Sequence, residues 1–169
     1  IPALDTVGKG FEKGTVFLPQ LLMSADAAKS SFAVLKEELE KNGGEEKEKE
    51  KVILATVKGD IHDIGKNIVK VLLENYSFEV IDLGKDVAPE CIVETVLEKE
   101  VKLVGLSALM TTTVVSMEET IRQLRKKKPE CKVMVGGAVL NQDYSDMIGA
   151  DFYGKDAMQS VHYAQKVFS

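Results

Sequence analysis

The chain has no tryptophan, two cysteines, two histidines and no apolar run approaching the ~20 residues that a membrane-spanning helix needs. No signal-peptide pattern is visible either, so a cytoplasmic protein without a membrane partner is expected. Cys91 and Cys131 fall in separate predicted elements with no Cys-x-x-Cys spacing. That leaves no disulfide framework and no thiolate zinc site, and reduced thiols are the default. Positive charge is scarce too: the net formal charge is -5. The longest lysine cluster, at 126–128, ends a predicted helix, where cations complement the dipole, so nucleic acid is not an expected partner. What is present, 44% hydrophobic and 29% charged residues in a chain of 169, suits one α/β domain of average size with a small appendage. The chain starts Ile1-Pro2 rather than with Met, as a piece of something longer would.

Residues 1–40 carry apolar side chains at three- and four-residue intervals: Leu4, Val7 and Phe11, then Leu18, Leu21, Leu22, Ala25, Ala28 and Phe32. This is helical periodicity, broken at Gly14-Thr15, with Pro19 suited to the first turn of the second helix. Two helices bury only one face against each other, so the pair needs a partner. Residues 41–51 contain no apolar side chain and read as a charged linker that lets the helices move.

From residue 52 onward, apolar runs at 52–57, 78–83, 103–108, 132–135 and 151–153 alternate with helical patterns at 64–75, 89–99, 114–127, 141–148 and 156–168. Five such repeats predict a five-stranded parallel doubly wound sheet, flavodoxin- or Rossmann-like, preceded by a partial helical bundle. Sheets of this kind bind ligands outside the carboxyl ends of their strands, where strand order reverses.

The loops at those ends hold the informative residues. After the first strand comes Asp60-x-His62-x-x-Gly65. A neutral loop imidazole can ligate a metal through one ring nitrogen, while the other N–H needs an acceptor such as Asp60 to fix the tautomer. Gly65 leaves room for a bulky group near the backbone. By itself a loop histidine beside an aspartate is more often a capping or surface pair. A phosphate loop is a poor match, because five residues separate Gly59 from Gly65 and Gly65-Lys66 is followed by Asn67, not Ser or Thr. After the third strand come Ser107, Leu109 and the hydroxyls Thr111, Thr112 and Thr113; after the fourth, Gly136-Gly137; after the fifth, Tyr153 to Ala157, which could close one wall. Each has a plain alternative, a helix cap for the threonines and a turn for the glycines. Their convergence on one sheet edge raises the case for a single cleft.

Asp60-x-His62-x-x-Gly65, Ser107-x-Leu109 and Gly136-Gly137, in this order, resemble the signature of base-off/His-on cobalamin-binding domains. Residues 8–28, around Gly14-Thr15-Val16-Phe17-Leu18-Pro19-Gln20, are similar to the helical cap of the methyltransferase branch. Residues 52–68 and 106–113 look most like methionine synthase, which passes a methyl group from 5-methyltetrahydrofolate to homocysteine through methylcobalamin. Standalone corrinoid carriers for methanol, methylamines or betaines are the close alternative. A cobalamin-dependent sensor is a further one, though no output or DNA-binding segment is visible. The family's cap has four helices and this chain holds two.

The resemblance implies that His62 binds the cobalt of cobalamin from below, in place of the benzimidazole base. Asp60 would hold the imidazole and Thr113 would hold Asp60. His62 would bind and release during turnover, with protonation of this relay favouring release. Gly65, Ser107, Leu109, Gly136 and Gly137 would line the channel for the nucleotide tail, with Thr111, Tyr153 and Ala157 beside them. Phe11, Leu18 and Leu21 would cover the upper face of the cofactor. Methyl-donor and methyl-acceptor sites would lie on other domains or proteins, leaving this chain as the carrier.

Overall fold

In the computed structural model, which describes residues 2–41 and 49–169, each apolar run has found a place in one parallel sheet. The strands are β1 (Lys51–Thr56), β2 (Glu79–Asp82), β3 (Leu103–Ser107), β4 (Lys132–Gly136) and β5 (Phe152–Tyr153). Their spatial order is β2-β1-β3-β4-β5, all parallel, so order reverses between β1 and β3. The helices are α1 (Pro2–Glu12), α2 (Leu18–Lys41), α3 (Ile64–Asn75), α4 (Pro89–Glu98), α5 (Val114–Lys127), α6 (Gln142–Met147) and α7 (Ala157–Val167). A 3-10 turn, Thr111–Thr113, precedes α5. No helix among the described residues is long and apolar enough to cross a membrane.

Parallel strands covered on both faces read as unbroken apolar runs, and the pleat then sorts them. Ile53, Ala55, Val57, Val104, Leu106, Val133 and Val135 face α4 and α5 in one buried cluster. Val52, Leu54, Leu103 and Met134 face α3 and α7 in a second. The helices answer with matching stripes: Met117, Ile121 and Leu124 of α5 enter the first cluster, while Leu72 and Leu73 of α3 and Met158 and Val161 of α7 enter the second.

The first two helices find their partner in the second cluster. Leu21 is buried there, with Val7, Phe11, Val16 and Leu18 packed against it. A linker was expected over 41–51; α2 runs to Lys41 and β1 begins at Lys51, and residues 42–48 lie outside the described residues.

The two thiols differ sharply. Cys91 is exposed in α4, whereas Cys131, just ahead of β4, is buried in the first cluster, and burial pushes its pKa up to about 11. A thiol reagent at pH 8 should modify one cysteine at once and the second only on unfolding. Because the folded value lies above the ordinary 9.0, the thiol's contribution is complete below pH 9 and fades as pH rises toward 11. Two units correspond to about 3 kcal/mol. Denaturant titrations at pH 9 and 11 should show that alkaline loss in the wild type and a smaller one in Cys131→Ala.

Candidate functional site

The loop after β1 is built around a buried carboxylate. Asp60 is 0% exposed, and five donors converge on it. Its Oδ1 accepts from the His62 backbone N–H at 3.0 Å and faces His62 Nδ1 at 2.8 Å. Its Oδ2 accepts from the Leu109 N–H at 2.7 Å, the Met110 N–H at 3.2 Å and the Thr113 hydroxyl at 2.9 Å. Burial alone would raise the pKa of this acid. The hydrogen bonds from His62, Leu109 and Thr113 outweigh burial and hold it well below the usual carboxylate range. An ionised carboxylate only accepts, so His62 carries its proton on Nδ1 and leaves the Nε2 lone pair free.

The His62 side chain is 46% exposed, at the carboxyl edge of the sheet and at the β1/β3 switch point. Large apolar side chains, Ile61, Ile64 and Leu109, are exposed beside it. Among the described residues no three His, Cys, Asp or Glu side chains are grouped for a metal ion. One imidazole holds a metal well when a chelating group fills the other positions.

Asp86 clamps the loop from the other side. Its Oδ1 accepts from the Gly59 N–H at 2.7 Å, and its own N–H donates to the Asp60 carbonyl at 2.9 Å. It does so at φ 55°, a conformation that Asp and Asn tolerate better than most residues. Asp86→Ala should cost about 1–2 kcal/mol through the lost bond and the strained backbone. Asp86→Asn, which keeps the acceptor, should cost less than half of that in a thermal melt.

Beside this loop, on the α3 and α7 side, lies a cavity of about 480 Å³. Gly65, Ser107, Gly136, Gly137, Tyr153 and Ala157 all line it, as does Phe11. Gly105 forms part of its floor, where a Cβ would come within 2.5 Å of Leu54 Cδ2 and 2.9 Å of Met134 Cε. At Gly65 an added Cβ would meet nothing within 4 Å. Lys66 also lines the cavity, but its ammonium is bound to Asp82 Oδ1 at 2.5 Å and Asn67 Oδ1 at 3.0 Å. Burial would raise the Asp82 pKa; the Lys66 hydrogen bond and charge, with the Gly84 N–H and Lys70, hold it below the ordinary value. Lys66 is therefore engaged in tying α3 to β2.

Five of the expected residues stand in the structure as follows. Leu109 does not line the cavity: its side chain is exposed, and its backbone N–H serves Asp60 instead. Thr111 does not line it either, because the 3-10 turn leaves it exposed and turns Thr113 inward. Leu21 is 2% exposed within the second cluster and presents no surface to a ligand, and Leu18 packs against the same cluster. Phe11, expected on an upper face, lines the cavity with the channel glycines, since α1 lays its apolar side on the α3–α7 layer. Reading the sequence missed Asp86, Gly105 and Ser160. A glycine inside the apolar run of β3 was the available signal for Gly105.

Comparison with known proteins yields one consistent family. The B12 binding domain matches residues 50–162, and a second B12 binding domain family matches residues 1–36. Trimethylamine corrinoid protein 2 of Methanosarcina mazei is 43% identical over 97% of this chain and 78% of its own length. A solved cobalamin-binding protein from Desulfitobacterium hafniense aligns at TM-score 0.82 with 34% identity, covering 97% of this chain and 77% of that one. A chain of the methanol:cobalamin methyltransferase complex of Methanosarcina barkeri aligns at TM-score 0.83 with 32% identity, covering 97% of this chain and 62% of that one.

Proposed function

We propose, on the premise that this chain belongs to the B12 binding domain family, that it is a corrinoid methyl carrier serving methyltransferases of a methylamine or methanol system. The observation that carries the reading is His62, with Nδ1 held by a fully buried carboxylate and Nε2 free at the sheet edge beside the glycine-lined cavity. The residues fit a base-off corrinoid on three grounds: a single imidazole ligand, an apolar rim of Ile61, Ile64 and Leu109, and a cavity lined by Gly65, Gly105, Gly136, Gly137 and Gly154, where at Gly65 an added Cβ would stand in open space.

Methionine synthase was the main expectation from residues 52–68 and 106–113, with the standalone carriers as its alternative. Identity of 43% to a trimethylamine corrinoid protein, spread over 97% of this chain, supports the carriers. Methyl donor and acceptor would then be handled by separate methyltransferases, with the chain working in the cytoplasm on reduced cysteines. In its domain organisation, residues 1–40 would act as a partial helical cap, 41–51 as the linker and 52–169 as the cofactor domain.

Cobalamin, when bound, supplies a cobalt that accepts and gives up a methyl group. The chain's own residues do the rest. His62 Nε2 would hold the metal. Asp60 keeps the ring proton on Nδ1 and sets the ring's orientation. The Leu109 and Met110 N–H groups and Thr113 keep Asp60 ionised and in place. Gly65, Ser107, Gly136, Gly137, Tyr153 and Ala157 would receive the nucleotide tail away from water. Protein mixed with methylcobalamin and desalted should retain about one corrin per chain with a base-off, His-ligated absorption spectrum. No retained corrin would sink the reading.

A further inference from the structure

Thr56 ends β1 on the face that looks toward α3 and α7. The pleat requires this, since Val52 and Leu54 lie in the second cluster, while Ile53, Ala55 and Val57 lie in the first. Its register partner on β3 is Ser107, which lines the cavity, and the pair before it, Leu54 and Gly105, lines the cavity too. Thr56 is 0% exposed, and its hydroxyl has no hydrogen-bond partner among the described residues. Its backbone is fully engaged: the N–H donates to the Gly84 carbonyl at 2.9 Å, and the carbonyl accepts from the Val87 N–H at 3.1 Å. A buried hydroxyl left without a partner costs stability, and valine would occupy the same volume without that cost. Ser160, the other serine lining the cavity, donates to the Asp156 carbonyl at 3.4 Å.

We infer that Thr56 is a positioning residue behind Ser107, and that the two hydroxyls together read a ring-nitrogen acceptor on a planar heterocycle entering the cavity. With a ligand in place, the Thr56 hydroxyl would turn to donate to Ser107 Oγ, a bond the ligand-free structure does not make, and Ser107 would then donate to the ring nitrogen. Each hydroxyl has one proton, so this direction satisfies both when the heterocycle is in place. Gly136, with the Leu54 and Met134 side chains folded over Gly105, leaves a low apolar floor for a flat ring. The inference rests on the proposed function, because the heterocycle is the base of the corrinoid's nucleotide tail. It makes Thr56 a determinant of which corrinoid the chain prefers, separate from the His62 grip on the metal.

Dissociation constants for cobalamin and for cobinamide, which lacks the nucleotide base, test this in wild type, Thr56→Val and Thr56→Ser. Thr56→Val should weaken cobalamin about five- to tenfold and leave cobinamide unchanged, while Thr56→Ser stays within about twofold of wild type for both. The ligand-free Thr56→Val protein should melt no lower than wild type. Ser145→Ala, which removes another unpartnered buried hydroxyl in a helix outside the cavity lining, should bind both corrinoids as wild type does. Equal binding of cobalamin by Thr56→Val and wild type would overturn the inference, as would an equal loss for both corrinoids. A wild type that binds neither would instead remove the proposed function beneath it.

Discussion

Replacing His62 with alanine is expected to leave the ligand-free chain within about 0.5 kcal/mol of wild-type stability while abolishing the His-ligated spectrum of bound corrinoid. The ring is half exposed, and among the described residues its hydrogen bond to Asp60 is the one side-chain hydrogen bond holding it, so its removal unsettles little else. Four donors to Asp60 remain. Asp60→Ala should behave in the opposite way. It strips the acceptor from the Leu109 and Met110 N–H groups in a site without solvent, at roughly 1–3 kcal/mol for each group left unsatisfied, while the Thr113 hydroxyl keeps the Met110 carbonyl as acceptor at 2.8 Å. A total loss on the order of 3–5 kcal/mol follows, with corrin binding weakened about ten- to a hundredfold through a disordered ligand. Thermal melts and visible spectra of the two variants separate the roles. A retained His-ligated spectrum in His62→Ala would exclude His62 as the ligand, and a wild-type melt in Asp60→Ala would show that its donors had found other acceptors. The acid limb follows the same carboxylate. Its folded pKa is depressed, so its stabilisation is complete above about pH 4 and fades as pH falls below that; Asp60→Asn should lack this component.

Two adjacent glycines should respond in contrasting ways to the same substitution. At Gly137, φ is +139° and an added Cβ would fall 1.8 Å from the Ala108 carbonyl oxygen and 2.8 Å from its carbon, both backbone atoms that cannot rotate away. Gly137→Ala must push β4's loop off the 108–110 segment, and that segment supplies the Leu109 and Met110 N–H groups to Asp60. A stability loss on the order of 4 kcal/mol or more is expected, together with loss of the His-ligated spectrum. At Gly136 the nearest atom to an added Cβ is the Gly154 carbonyl oxygen at 3.5 Å, an ordinary contact. Gly136→Ala should fold nearly as wild type yet bind cobalamin at least tenfold more weakly, because its methyl group enters the cavity. Gly149→Ala, at φ +73° with no atom within 4 Å, isolates the backbone cost at about 1 kcal/mol. If Gly137→Ala matched Gly149→Ala in a denaturant titration, the steric account of this contact would be wrong.

The α/β part of the chain was legible because its signals are local. Periodicity placed α3 and α5 at their observed bounds, and the five apolar runs became the five strands within a residue or two. Asp60 and His62 were legible because they are two residues apart and their chemistry belongs to side chains. What stayed hidden depends on distance or on the main chain. Asp86 meets Gly59 across 27 positions, and nothing in an exposed aspartate announces a clamp. Leu109 was singled out for its side chain but contributes a peptide N–H, which every non-proline residue carries. Phe11 and Leu21 sit on helices whose apolar stripes are clear, yet a stripe does not say which layer will cover it. Thr56 could not be read at all, since an unpartnered hydroxyl is defined by the atoms that fail to surround it.

The sheet divides the apolar interior into two compartments, and the two working parts of the molecule stand on different ones. The segments that frame the Asp60–His62 loop are anchored by Val57, Val87, Ala108 and Val114, all on the α4–α5 side. The cavity, Phe11 and the first two helices belong to the α3–α7 side. Rearrangement of α1 and α2 therefore strips cover from one compartment and leaves the foundations of the Asp60–His62 loop untouched. In hydrogen-exchange terms, amides of α4 and α5 should stay as protected as before when those helices lift, while those of α3 and α7 exchange sooner. The chain is built like a vice bolted to one side of a bench, with the drawer that opens on the other.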